Sequence, residues 1–151
     1  MATRSLPPQP LVDTQGHALA GWWRYFYDLH NVPLWRGHVH YATQAASLPA
    51  MVLVPVDQNQ RVLYRLSWSQ RVIRAATTSS ALTTTVTWTD GAVTQTESGA
   101  LMNGNTTATQ QSGSILLWVD KNTTPTLSTT YASVGATAMQ YDLTVTVEQL
   151  I

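Results

Sequence analysis

The stretch Val62–Ile73, VLYRLSWSQRVI, decides the fold. Read with a period of two, it places Val62, Tyr64, Leu66, Trp68 and Val72 on one face. Arg61, Arg65, Ser67, Ser69 and Arg71 fall on the other. Successive side chains of a strand point to opposite sides, so this alternation predicts a long strand with one buried and one solvated face. The stretch is rich in β-branched and aromatic residues and has neither Gly nor Pro, which favours a pleated, half-buried surface. On a 3.6-residue helix the apolar positions 62, 64, 66 and 68 would scatter around the axis.

A strand of the same quality closes the chain. Tyr141, Leu143, Val145 and Val147 lie on one face, and Asp142, Thr144, Thr146 and Glu148 on the other. Between the two, Leu82, Val86 and Trp88 alternate with Thr83, Thr85 and Thr87, and Asp90-Gly91 is the strongest hairpin signal in the chain. Ala92–Gly99 reads as a weaker, exposed strand. Ile115–Val119 (ILLWV) is apolar on both faces, so it is expected as a central strand buried on both sides. Leu127–Tyr131 is short. Upstream, Ala50–Val56 (AMVLVPV) is a short apolar strand in which Pro55 demands an edge or a bend. His38 and His40, alternating with Val39 and Tyr41, predict another. These readings give about eight strands with polar turns at roughly ten-residue spacing. The fold class expected is all-β, a jelly-roll-like β-sandwich.

The N-terminus is organised differently. Pro7, Pro8 and Pro10 fix φ and remove backbone donors, which predicts an extended arm over residues 1–16 with Leu11 and Val12 as its apolar anchors. From His17 to His30, Leu19, Trp22, Trp23, Phe26 and Leu29 recur at three- and four-residue spacing, with Arg24 and Asp28 opposite. That is one short amphipathic helix, capped by Asp13 or Thr14 and ended by Asn31-Val32-Pro33. A helix of roughly 14 residues is not stable alone. Its aromatic face therefore either lids its own β domain or is offered to another subunit. The chain divides into an arm and helix over 1–36 and a sandwich over 37–151.

Only 11% of the 151 residues are charged, against a usual ~25%. The formal net charge is zero, a condition that promotes association. The charges are segregated. Residues 1–76 hold seven Arg against Asp13, Asp28 and Asp57, a net of 7 − 3 = +4, and residues 77–151 hold Lys121 against five acids, 1 − 5 = −4. Either the halves pair inside one fold, or opposite ends meet different partners in an assembly. Twenty of the 23 Thr lie beyond residue 76, which reads as a solvated β surface. Its strands carry few Lys or Glu, so their edges are expected to be covered by neighbours.

Motifs for chemistry are not found. The chain has no Cys, hence no disulfide framework and no thiolate site. His38-x-His40 places two imidazoles on one strand face, but without a third ligand nearby they read as surface histidines, and no metal or cofactor is expected. Carboxylates are scattered, no Ser sits in a nucleophile elbow, and no Gly-rich loop opens a helix. The Arg set at 61, 65, 71 and 74 reads as a solvated strand face rather than a nucleic-acid site. MATRSLPPQPLVD lacks a signal-peptide core and no run approaches membrane-spanning length, so assembly in a cytosol is expected. Asn122-Thr123-Thr124 fits a glycosylation acceptor, which has no consequence without secretion.

Two segments carry a family resemblance. LPPQPLVDTQGHALAGWWRYFYDLHN (residues 6–31) is similar to the N-termini of small virion proteins of tailed bacteriophages, where a proline arm and a PLVD…G phrase precede a short aromatic helix. LYRLSWSQRVIRAATTSSALTTTVTWTDG (63–91), with YASVGATAMQYDLTVTVEQL (131–150), resembles a β domain recurring in phage structural proteins and at the ends of fibre-like chains. The resemblance implies a non-enzymatic structural role in the virion: capsid decoration or cement, or a head or tail fibre component. It also implies a homo-oligomer, a trimer, whose partners are the major capsid protein or other virion proteins. A short chain without a stalk fits decoration better than a receptor-reaching fibre. The competing reading is a glycan-binding module using exposed aromatics, with Trp22, Trp35, Trp88 and Trp118 as candidates. Trp88 and Trp118 sit in patterned strands and are expected in the core.

Overall fold

The computed structural model describes residues 35–54 and 59–150, and among them the chain is all-β. Eight strands follow in order: β1 (Trp35–Gln44), β2 (Met51–Val52), β3 (Val62–Arg74), β4 (Ser79–Asp90), β5 (Val93–Ser98), β6 (Gln110–Val119), β7 (Thr126–Val134) and β8 (Gln140–Gln149). They form two four-stranded sheets, one in the order β1-β8-β3-β6 and the other β2-β7-β4-β5. β1 pairs with β8, β2 with β7, β3 with β6 and β4 with β5, all antiparallel. The strands thus nest, first with last and so inward, as a long hairpin folded over on itself would place them. The β3–β8 and β4–β7 pairings then join the nested pairs into sheets. The predicted helix and arm, with Leu11, Val12, Leu19, Trp22, Trp23, Phe26 and Leu29, lie outside the described residues, as does Pro55.

The defining strand is as the alternation predicts. Val62, Tyr64, Leu66, Trp68 and Val72 are buried, while Arg61, Arg65, Ser69 and Arg71 are exposed. They share one core with Tyr141, Leu143, Val145 and Val147 of β8 and with Leu82, Val86 and Leu127 of the second sheet. The hairpin predicted at Asp90-Gly91 forms one residue further on. Asp90 pairs with Val93, and the two central residues are Gly91 and Ala92, both at φ 60°. A two-residue turn of that hand matches the twist of the flanking strands but needs positive φ at both positions. Gly91 accepts this freely, and Ala92 is held there by its N–H, which donates to Asp120 Oδ2 at 2.7 Å.

Three expectations are corrected. ILLWV does not form a central strand: β6 is the outer strand of its sheet. Leu117 and Val119 face the core, while Leu116 and Trp118 face outward, 62% and 38% exposed. Trp118 is therefore not a core residue, whereas Trp88 is partly buried against the core. The Thr-rich half is not only surface, since Thr84 and Thr129 are buried. Third, among the described residues of the apolar run 50–56 the strand spans two, Met51–Val52.

Gln70 is the polar exception on the buried face of β3, fully enclosed. It is tolerated because its amide is satisfied: Thr84 Oγ1 donates to Oε1 at 2.6 Å, and Nε2 donates to Gln111 Oε1 at 2.6 Å. A second bridge crosses the core where Thr129 of β7 and Tyr141 of β8 share a hydrogen bond at 2.8 Å, and the Tyr141 hydroxyl donates to Ala46 O at 2.9 Å. Burial pushes the Tyr141 phenol above its ordinary pKa, which keeps it a neutral donor. Opposite Trp68 in the β3–β6 register stands Gly113, where any Cβ would collide with the indole ring. Glycine there lets the ring lie flat across the neighbouring strand.

The register makes a quantitative prediction. Leu66→Ala should destabilise the protein by ~2–5 kcal/mol through lost burial and a residual cavity. Arg65→Ala, on the opposite face with a half-exposed ion pair, should cost under ~1 kcal/mol. Chemical denaturation of both variants checks this, and large equal losses would mean that the two faces are wrongly assigned.

Candidate functional site

The outward face of the β1-β8-β3-β6 sheet concentrates the polar side chains that the strand alternation expels from the core. Register lines them up in rows. His38, Thr146, Ser67 and Ser114 form one row, and His40, Thr144, Ser69 and Ser112 the next. Within these rows His38 Nδ1 lies 3.3 Å from Thr146 Oγ1, His40 Nδ1 lies 3.0 Å from Thr144 Oγ1, and the Ser67 and Ser114 hydroxyls are 3.0 Å apart. The two histidines share an exposed strand face, as their spacing predicts. Among the described residues no three His, Cys, Asp or Glu side chains converge as metal ligands would.

Flanking rows hold the charges. Arg65 pairs with Glu148 at 3.4 Å and Arg71 with Asp142 at 2.9 Å. Arg61 pairs with Asp90 and approaches Asp120 at 3.8 Å. Each of these pairs joins an Arg of the positive half to an acid of the negative half, so the segregation along the sequence resolves, in the described residues, into pairing within the fold. Arg74 Nε donates instead to the Ala138 carbonyl at 3.0 Å.

Asp142 is buried beneath the face. Its Oδ1 accepts the Thr43 N–H at 2.9 Å, and its Oδ2 accepts Nε and a terminal nitrogen of Arg71 at 3.1 and 2.9 Å. Thr43 sits at φ 56° within the β1 irregularity between Tyr41 and Gln44, so this carboxylate pins a bend in the edge strand. The Thr43 N–H, with the Arg71 guanidinium, holds the Asp142 carboxyl below its ordinary pKa against the opposing effect of burial.

At one end of the sandwich a second cluster forms. The Arg61 guanidinium lies 4.8 Å over the centre of the Trp118 ring, a cation–π contact. Asp120 binds the Ala92 N–H, and that bond, helped by Gly91 N–H and Arg61, keeps its carboxyl below the ordinary range. The cluster ties the start of β3, the β4–β5 turn and the β6–β7 turn together beside a shallow depression of about 580 Å³ lined by Arg61, Thr89, Ala92, Asp120, Lys121 and Thr123. Leu63 stands opposite Trp118 in register, with Leu116 one outward position along. Sequence reading missed this patch because it placed both outward residues of β6 inside. No hydropathy signal separates an apolar face covered by the chain itself from one left open.

No protein-family model matches the chain, and no curated protein matches it. Among solved structures, a chain from the Bacillus endospore appendages, described as disulfide-linked pili, is similar over 77% of this chain and 85% of its own length. The identity is 10% and the TM-score 0.37.

The Asp142 geometry fixes a pH dependence. Its folded pKa is depressed, so its contribution is present above the unfolded carboxylate value of ~3.9 and is lost as pH falls through the folded value. Melting temperature should therefore drop in that acid window. Asp142→Asn should melt lower near neutrality and decline less steeply toward acid. Calorimetric scans across the window that gave parallel curves for both proteins would contradict it.

Proposed function

We propose that this chain is a non-enzymatic structural protein of a phage virion, a capsid decoration or cement protein. In this reading a jelly-roll β domain makes the oligomeric contacts, and the segment that precedes β1 attaches it to the shell. The observation that carries the reading is the nested strand order, β1-β8-β3-β6 over β2-β7-β4-β5. A jelly roll is built by nesting of this kind, and viral capsid and lectin domains both use it. The resemblance of the N-terminal and β segments to phage structural proteins supplies the choice of setting.

A second reading, a glycan-binding fibre module, draws on the exposed Trp118 beside the shallow depression. Sugar recognition needs an open aromatic face, and the Arg61 guanidinium occupies one face of this ring. That contact favours the structural reading over the glycan one. A glycan array with reproducible binding lost in Trp118→Ala would reverse the preference.

Mass spectrometry of purified particles, giving the location and copy number of the gene product, is the direct test. The division of labour is tested separately. Deleting residues 1–30 should leave a soluble, β-rich protein by circular dichroism but weaken its attachment to particles. Trp22→Ala with Phe26→Ala should imitate the deletion, because aromatic side chains carry most of such a segment's contact area. An unfolded truncation would instead make those aromatics a lid on the β domain.

A further inference from the structure

β6 is paired by β3 along one side, and among the described residues no strand pairs with its other side. Open edges in soluble proteins are ordinarily guarded by charge, by a bulge or by brevity. The other outer strands use these devices: β1 is irregular between Tyr41 and Gln44, β2 has two residues, and β5 has six, including Glu97. β6 uses none of them. It runs for ten residues, QQSGSILLWV, without one charge. Beyond the β3 ladder its ends are tied by Asp120 N–H to Thr89 O at 2.9 Å and by the Gln111 side chain, which donates to Ala100 O at 3.0 Å. Along its outward face run Ser112, Ser114, Leu116 and Trp118, the last two apolar and exposed.

We infer that β6 pairs antiparallel with β6 of a second copy about a two-fold axis, fusing two four-stranded sheets into one of eight strands. The electrostatics select a second copy. In a two-fold contact residue i meets j while j meets i, so any charge near the axis faces its own like. β6 presents none there. The charged groups at its two ends balance in cis, Arg61 and Lys121 against Asp90 and Asp120 at one end and Arg71 against Asp142 at the other. Antiparallel pairing sets one of these neutral ends against the other. The zero formal net charge of the chain removes long-range repulsion between copies. Pairing would also bring the exposed Leu116 of each copy beside the other across the axis, covering the apolar outward face that the described residues leave open.

The inference does not depend on where the protein resides, so its failure and that of the virion reading are distinguishable. The full chain is tested by sedimentation velocity and native mass spectrometry at micromolar concentration. Ser114→Lys with Leu116→Lys, both on exposed positions, should halve the assembly mass with an unchanged far-ultraviolet spectrum. The matching Ser114→Glu, Leu116→Glu protein should likewise dissociate, and mixing the two should restore a mixed pair. Were either double variant to misfold, the single Ser114 substitutions carry the same test. Hydrogen exchange gives an independent readout: amides of residues 111–119 that face away from β3 should gain protection with concentration in the parent chain alone. A monomeric parent, a Lys variant that keeps its mass, a mixture that does not reassociate, or β6 exchange independent of concentration would each overturn the inference. So would protection of β6 by the chain's own N-terminal segment at all concentrations.

Discussion

β3 is bonded along both sides, to β8 and to β6, and the first sheet depends on that double pairing. A slip of one residue would turn Tyr64 and Leu66 outward and drive Arg65 and Arg71 into the core. Each large apolar side chain lost from burial costs ~1.5–3 kcal/mol, and an unpaired buried guanidinium costs more. With β3 fixed, the rows follow: Arg65 must lie beside Glu148, Arg71 beside Asp142, and Trp68 over the only residue of β6 that has no side chain.

The same double pairing explains what was legible in the residues and what was not. β3 and β8 alternate cleanly because one face of each is covered by the sandwich and the other is wet. β6 misleads for a physical reason. Its outward residues Leu116 and Trp118 look like core because they are apolar, yet apolarity records only that water is disfavoured, not which surface displaces it. The buried polar groups were illegible for a different reason. Gln70 interrupts an apolar face and is satisfied by Thr84 and Gln111, 14 and 41 residues away. No local pattern announces partners at such a distance. The turn at Gly91-Ala92 departs by one residue from the Asp-Gly signal, with Asp90 outside the turn and paired with Arg61, and Ala92 held by Asp120 from 28 residues away.

The two sheets contribute unequally to their shared core. The first supplies most of the large apolar side chains, while the second offers Leu82, Val86 and Leu127 with buried Thr84 and Thr129 between them. A sheet so rich in threonine buries less apolar area per strand. It compensates with directional bonds, Thr84 to Gln70 and Thr129 to Tyr141, that cross from sheet to sheet. Such bonds add little net free energy when made, but breaking one leaves a desolvated group without a partner. They therefore fix how the sheets sit on one another more than how tightly they adhere.

Among the described residues most Arg charge is matched by acids inside the fold, and that constrains how this part of the chain meets other molecules. Arg61, Arg65 and Arg71 are matched in cis by acids of the later half, so these groups leave little long-range field to steer a partner. What the described surface offers instead is hydroxyl rows, an uncharged strand edge and a small apolar patch. Contacts of those kinds are short-ranged and insensitive to screening, whereas an interface held by exposed ion pairs weakens as the Debye length contracts to ~10 Å at 0.1 M salt. An assembly built on backbone pairing and apolar contact should therefore persist as ionic strength rises. Persistence at high salt is the behaviour that a charge-poor sequence with internally matched Arg and acid pairs is physically suited to give.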